Sequence, residues 1–233
     1  MPICLTTYII LHLQGNYKAV TLEADMVHSY KLLVRGYKMK YYHGSTREGL
    51  SELRPFASTG SNLKEPLVYL TSSKQLALHY IWDTERIGTK MPMLNILQDG
   101  TLVFQEMFSG ALEYFYKGVS GYIYQCEGDY KINANTGVPT CATSKAVVPI
   151  TAAEYIEDVY ESILSYEEKG TFIYERYEDL PQWRIDVIRG QVMRMIKRNN
   201  LLKDETHPSY KLVKEKFPQY WAEAKVLQEH NLL

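Results

Sequence analysis

The chain has 233 residues, which is enough for one large domain or for a compact domain with a helical appendage, and this excludes a miniprotein held together by disulfides or a metal. Its 26 lysines and arginines nearly balance its 27 aspartates and glutamates, so no global positive field would attract nucleic acid or an anionic membrane. The three cysteines have neither CxxC nor zinc-ligand spacing, which favours reduced thiols, a cytoplasmic location and no metal site.

Residues 1–38 carry no motif that assigns them a function. The apolar run Leu5–Leu13 is about half as long as a membrane span, and neither the basic residues nor the cleavage site of a signal peptide flank it. Met26 and Met39 both lie shortly before the first recognisable motif, and the polar stretch between them has no strong period. We therefore treat 1–38 as a separate segment and give residues 1–25 low weight as part of the native fold.

Residues 40–150 are expected to form short strands and loops. The segment Lys40–His43 predicts an aromatic strand that ends at Gly44, and Leu67–Leu70 predicts a second strand after a polar loop that contains prolines. Three consecutive hydroxyl residues are candidates to cap the helix that follows: Thr71, Ser72 and Ser73. One face of this helix is expected to carry Leu76, Ala77, Tyr80 and Ile81.

Further strands are predicted at 101–108, 121–127 and 146–150, where β-branched and aromatic residues are frequent. The composition then changes, and residues 151–233 are expected to be helical. The pattern Thr151-Ala-Ala-Glu154 is typical of a capping box and predicts a helix that Gly170 ends.

Two more helices are predicted at 181–202 and at 210–228, the second with a bend near Pro218. The first of them carries a basic side that we expect to be a solvated face, consisting of Arg189, Arg194, Lys197 and Arg198. Strands followed by helices indicate an α+β fold, with a domain at 39–150 and a helical extension at 151–233 packed on it.

An ordered set of short motifs spans residues 40–150. Tyr42-His43-Gly44-Ser45 is followed by a loop with Ser61-Asn62, by the strand around Tyr69, by a helix with alanine, and by Gly-Tyr-Ile-Tyr-x-x-Glu at 121–127. In this order the motifs resemble the ADP-ribosyltransferase superfamily of the His-Tyr-acid type, and most of all the rifampin ADP-ribosyltransferases. The resemblance implies a split mixed or antiparallel β-sheet core, to which this chain adds a C-terminal helical extension.

The resemblance also implies NAD as co-substrate and assigns roles to individual residues. His43 would hydrogen-bond ribose hydroxyls, and the backbone of Gly44 would bond the nicotinamide amide. Tyr69 would stack on the nicotinamide ring, and Tyr80 matches the aromatic position that covers the other face of the ring. Two neighbouring hydroxyl residues, Ser45 and Thr71, and the acidic residue Asp129 complete the NAD-binding set.

The third member of the motif is an acid, and here the chain departs from the family. The position of the catalytic aspartate falls near Asn133, whose amide lacks the negative charge that stabilises an oxocarbenium-like transition state. Glu127 and Asp129 are nearby replacements, and Gln125-Cys126-Glu127 resembles the Gln-x-Glu motif of another branch. We favour Glu127 as the catalytic acid, with Asp129 as the alternative, and a site without an acid stays open.

The activity implied by the resemblance is cleavage of the nicotinamide–ribose bond of NAD and transfer of ADP-ribose to an acceptor. The acceptor can be a small molecule, a protein or a nucleic acid, and no membrane partner is expected. Two alternatives stay open: a non-catalytic module that binds NAD or ADP-ribose, and a partner-binding scaffold without affinity for NAD. The sequence fixes neither the acceptor nor the oligomeric state.

Overall fold

The structure, a computed structural model, describes residues 8–13, 16–21, 39–57, 65–82, 94–97, 99–130 and 140–230. The chain divides into two compact units, Met1–Met39 and Lys40–Leu233. In the first unit, the strands β1 (Tyr8–Leu13) and β2 (Asn16–Thr21) pair antiparallel. Most of the apolar run predicted near the amino terminus is therefore part of strand β1.

A curled antiparallel sheet of six strands forms the centre of the second unit. Its strands lie in the order β4 (Glu52–Leu53), β10 (Val148–Ile156), β8 (Gly121–Gly128), β3 (Met39–Ser45), β5 (Val68–Thr71) and β9 (Cys141–Ser144). The predicted strands at 40–43, 67–70 and 121–127 are confirmed. Each of them is rich in tyrosine, valine, isoleucine or leucine, the residue types that fit a half-buried pleated surface.

A second, three-stranded sheet has the order β11 (Phe172–Glu175), β7 (Leu102–Gln105) and β6 (Leu94–Ile96). Strand β7 pairs parallel with β11 and antiparallel with β6, so this sheet is mixed. The pairing of β7 with β11 brings a strand from the carboxyl-terminal half of the chain beside one from its middle.

The described residues contain six α-helices, which confirms the α+β class. They are α1 (Lys74–Leu78), α2 (Ala111–Tyr116), α3 (Val159–Glu168), α4 (Gln182–Arg198), α5 (Tyr210–Lys216) and α6 (Pro218–Glu229). The predicted cap of α1 is confirmed for Ser73, whose hydroxyl accepts from the N–H of Leu76 at 3.1 Å. The predicted break near Pro218 is also confirmed, because α5 ends at Lys216 and α6 begins at the proline.

The predicted capping box at Thr151–Glu154 is wrong. These residues lie inside strand β10, where Ala153 pairs with Tyr124 and Glu154 with Ile123 of β8. The helix begins later, at α3, and its cap is Asp158, whose carboxylate accepts from the N–H of Glu161 at 3.1 Å. A capping-box pattern is local, whereas the hydrogen bonds offered by β8 are not, and the long-range pairing decides the structure here.

One large apolar core joins helices and strands from both halves of the second unit. It contains Ile81 after α1, Phe104 on β7, Ile163 on α3 and Val192 on α4. A smaller cluster lies on the other face of the six-stranded sheet and consists of Tyr41, Leu53, Val68, Leu70, Cys126, Ala142 and Val148. Residue 150, where we placed the domain boundary, lies within β10.

The carboxyl-terminal helices pack as the helical periodicity predicts. Helix α4 buries Ile188, Val192 and Ile196, while Met195 is half-buried. On its basic side, Arg189 pairs with Glu223 of α6, and the other three basic residues are exposed. No helix among the described residues is both long enough and apolar enough to span a membrane.

Candidate functional site

The main-chain pairing of β5 on the side that faces β3 has a gap. At one end Tyr42 pairs with Thr71. At the other end Phe56 forms an isolated bridge with Leu67, with two backbone N–O distances of 3.2 and 3.1 Å. Residues 67, 69 and 71 direct their backbone groups to the same side of the strand. The main-chain groups of Tyr69 therefore face the gap between these two pairs, which we call the β3–β5 opening.

The imidazole of His43 occupies this opening. Its Nδ1 lies 2.9 Å from the carbonyl oxygen of Tyr69. A carbonyl oxygen only accepts, so Nδ1 carries the proton and Nε2 is left as an acceptor. Burial lowers the pKa of His43, against the opposing effect of the bond to Tyr69. The ring is therefore neutral at neutral pH, and its Nε2 is a hydrogen-bond acceptor.

The resemblance implies that His43 and Tyr69 hold the two halves of one dinucleotide, and the structure connects the two residues through a main-chain carbonyl. Because Tyr42 and Thr71 face each other, alternation places Tyr69 on their face of the sheet and His43 on the opposite face, beside Tyr41. The contact between the two residues runs through the Tyr69 carbonyl. A dinucleotide that contacted both side chains would therefore have to reach both faces of the sheet.

Tyr80 lies on the same face as Tyr69. It follows helix α1, and its hydroxyl lies within electrostatic reach of Cys141, which pairs with Thr71 across β5 and β9. The residue is 45% exposed, while burial of its hydroxyl raises its pKa to about 12. The phenol is therefore neutral, and two aromatic side chains, Tyr69 and Tyr80, lie on one face of the sheet.

Gly44, Ser45 and Thr71 have structural roles that the resemblance did not assign. A Cβ atom on Gly44 would lie 1.9 Å from the carbonyl oxygen of Ala77, so helix α1 itself requires glycine here. The Ser45 hydroxyl accepts from the N–H of Arg47 at 3.1 Å. The Thr71 hydroxyl donates to Thr140 and accepts from the N–H of Ser73. These hydroxyls already have partners within the protein.

We predict that Gly44→Ala lowers the free energy of unfolding by roughly 1–3 kcal/mol, because its methyl group would overlap the main chain of helix α1. Urea denaturation measures this change. Gly190→Ala in helix α4 is the matched control, since the nearest atom to its new methyl group is the Arg194 side chain at 3.6 Å. The control should raise stability by about 0.5–1 kcal/mol. Equal effects at the two positions would contradict the packing role of Gly44.

The structure does not bring Glu127 to His43. Gly121 lies beside Ser45, because a Cβ atom on Gly121 would be 2.7 Å from the Ser45 carbonyl oxygen. From that point β8 runs antiparallel to β3, and Glu127 lies about 13 Å farther along the sheet than His43 at about 3.3 Å per residue. Alternation from Cys126 also places Glu127 on the face opposite His43.

Asp129 lies closer to the histidine's face of the sheet. Burial raises the pKa of the Tyr41 phenol, the bond from that phenol to the Tyr130 carbonyl opposes this, and the charge of Asp129 adds to the rise. Tyr41 lies on the His43 face of β3, two positions before the histidine. Of the two predicted acids, Asp129 is thus the one whose charge acts on Tyr41, a residue of the His43 face. Asp129 is exposed.

Sequence reasoning missed Phe56, whose ring lies beside Tyr69 at a centroid distance of 5.8 Å. The sequence signal was a single aromatic residue after Pro55 at the start of a polar loop, which does not distinguish a packed ring from an exposed one. Ser61, Asn62 and Asn133 lie outside the described residues. Within the described ranges, no group of three or more metal-ligating side chains is present.

Comparison with known proteins adds no assignment: no family model, no curated protein and no solved structure matches the chain.

Proposed function

We propose that this chain is an NAD-dependent ADP-ribosyltransferase whose NAD site is the β3–β5 opening. The observation that carries the proposal is the hydrogen bond from Nδ1 of His43 to the Tyr69 carbonyl at 2.9 Å. This bond leaves Nε2 as the acceptor in a neutral imidazole. The order of strand, capped helix and aromatic residues also agrees with the motif order of that superfamily, which implies a split sheet core.

In this proposal the protein supplies binding and orientation. Rupture of the nicotinamide–ribose bond builds positive charge on the ribose, so a rigidly held ribose and a stacked leaving group lower the barrier. His43 would accept a hydrogen bond from a ribose hydroxyl, and Tyr69 with Tyr80 would hold the nicotinamide ring. ADP-ribose would then pass to an acceptor, which can be a small molecule, a protein or a nucleic acid.

A second candidate is a module that binds NAD or ADP-ribose without cleaving it. The observation that favours this candidate is the distance of about 13 Å along the sheet between Glu127 and His43, estimated from the strand rise. Without a carboxylate at the ribose, the developing positive charge has no fixed counter-charge. Binding would persist because the imidazole and the tyrosines do not depend on an acid.

NAD binding and nicotinamide release, measured on the same protein, test the proposal. We expect saturating NAD to raise the melting temperature, because a ligand that binds only the folded state stabilises it. We also expect nicotinamide to be released in the presence of an acceptor mixture. Glu127→Gln and Asp129→Asn form a matched pair of charge-removing variants, and the variant that loses release while keeping NAD affinity identifies the acid.

The outcomes separate the candidates. Binding and release by the wild-type protein support the transferase. Binding without release, with both acid variants indistinguishable from wild type, supports the non-catalytic module. A melting temperature that NAD does not change would overturn both candidates and leave the partner-binding scaffold.

A further inference from the structure

Phe56 is an exposed aromatic residue whose position is nevertheless fixed. Its side chain is 49% exposed, so its ring gains little from burial in the protein. Both of its main-chain polar groups are bonded to Leu67. Its N–H donates to the Leu67 carbonyl at 3.2 Å, and its carbonyl accepts from the Leu67 N–H at 3.1 Å. The ring is thus presented to solvent from a paired position at one end of the β3–β5 opening.

The rings of Phe56 and Tyr69 form a corner. Their centroids lie 5.8 Å apart, and their planes are inclined by 63°. Phe56 pairs with Leu67, and Leu67 and Tyr69 lie on the same face of the strand by alternation. The two rings therefore line one face of the opening as two walls at an angle, which we call the aromatic corner.

A flat heteroaromatic ring fits such a corner. It can stack its face on one wall while its edge meets the face of the other, and both contacts are favoured by the charge distribution of aromatic rings. An aliphatic group would gain only the free energy that comes from burying apolar surface. The bond from His43 to the Tyr69 carbonyl fixes the strand segment that carries one of the walls.

We propose that Phe56 is a further aromatic wall of the nicotinamide subsite, in addition to Tyr69 and Tyr80, and contributes to the choice of a pyridine-carboxamide dinucleotide as the ligand. This inference rests on the proposed NAD site and adds to it a residue that the motif does not contain. Tyr69 stacks on the ring, and Phe56 closes one side of it against water. ADP-ribose, which lacks the nicotinamide, makes no use of this wall.

Calorimetric titration of Phe56→Ala with NAD and with ADP-ribose tests the inference. The affinity for NAD should fall about 10-fold, since stacking of a base on an aromatic side chain contributes about 1–3 kcal/mol. The affinity for ADP-ribose should stay within about 2-fold of wild type. Phe56→Tyr keeps the ring and should retain the NAD affinity of wild type, whereas Phe56→Leu should resemble the alanine variant.

Trp183→Ala is the control for the loss of an exposed aromatic side chain, because Trp183 is 62% exposed on helix α4. It should leave both affinities unchanged. Equal NAD affinity in wild type and Phe56→Ala would contradict the proposed role of Phe56 without contradicting the proposed NAD site. An equal loss of affinity for NAD and for ADP-ribose would contradict that role in the same way. A wild-type protein that binds neither ligand overturns the proposed function and this inference together. If Phe56→Ala melts at a lower temperature than wild type, the NAD and ADP-ribose affinities of Phe56→Leu are compared with those of wild type instead.

Discussion

His43→Ala is expected to lower the affinity for NAD by about 100-fold, which corresponds to roughly 2.7 kcal/mol at 1.36 kcal/mol per factor of ten. The variant removes the acceptor at Nε2 and also the donor that fixes the Tyr69 carbonyl in the β3–β5 opening. Loss of one partner of a desolvated hydrogen bond costs about 1–3 kcal/mol. Calorimetric titration with NAD measures the change, and nicotinamide release should fall in parallel.

The pH dependence separates this role from a general effect on folding. The pKa of His43 lies below the ordinary value of 6.5 because the ring is buried. NAD affinity should therefore be constant above pH 6.5 and fall in more acidic solution, where protonation converts Nε2 from an acceptor to a donor. A rise in affinity on acidification would contradict the assignment, because it would mean that the imidazolium binds the ligand.

Stability must be followed in the same pH range. His79 is buried, and desolvation lowers its pKa to about 4. The unfolded chain takes up this proton near pH 6.5 and the folded chain only near pH 4, so folding stability falls as the pH decreases through that window. The lowered pKa of His43 also makes folding stability fall as the pH decreases below 6.5. Binding data below pH 6.5 therefore require a parallel measurement of the folded fraction by circular dichroism.

Glu106→Ala is expected to lower the free energy of unfolding by about 4 kcal/mol. The side chain is 1% exposed, and its two oxygens accept three hydrogen bonds. The donors are the N–H of Leu112 at 3.2 Å, the hydroxyl of Tyr174 at 2.6 Å and the N–H of Tyr177 at 3.1 Å. Helix α2, strand β11 and the 3₁₀ turn at Tyr177–Asp179 are all bound to this carboxylate, and alanine would leave three donors without a partner. Urea denaturation measures the loss.

Two milder variants test the same network. Glu106→Gln keeps the shape and one acceptor oxygen, so its cost should lie between those of wild type and Glu106→Ala. Tyr174→Phe removes a single donor and should cost about 1–3 kcal/mol. A loss below 1 kcal/mol for Glu106→Ala would show that water replaces the carboxylate and that the network does not hold these elements together.

The local elements of the candidate site were predictable because their causes are local. Aromatic and β-branched residues predict strand β3 and the neighbouring strand β5, and Ser73 lies at the correct distance to cap helix α1. Proline at position 218 separates two helices because it cannot donate the hydrogen bond that a continuous helix needs. These effects act within a few residues and do not depend on the rest of the chain.

Pairing partners decided where local patterns failed. Thr151–Glu154 has the residues of a helix start, yet it pairs with β8 as a strand. The register of β3 on β5 is also a long-range property, and it places the side chains of His43 and Tyr69 on opposite faces although both strands were predicted. Sequence spacing gives no access to the face on which a side chain lies relative to another strand.

The sequence by itself determined the α+β class, the strands that carry His43 and Tyr69, and a set of three candidate caps for the helix after Thr71, from which the structure selects Ser73. Only the tertiary structure decided that the imidazole bonds a main-chain carbonyl, that Glu127 lies far along β8, and that Phe56 stands beside Tyr69. The physical reason is that propensity and capping arise from neighbours in the chain, whereas burial, register and ring contacts arise from residues 13 to 89 positions away.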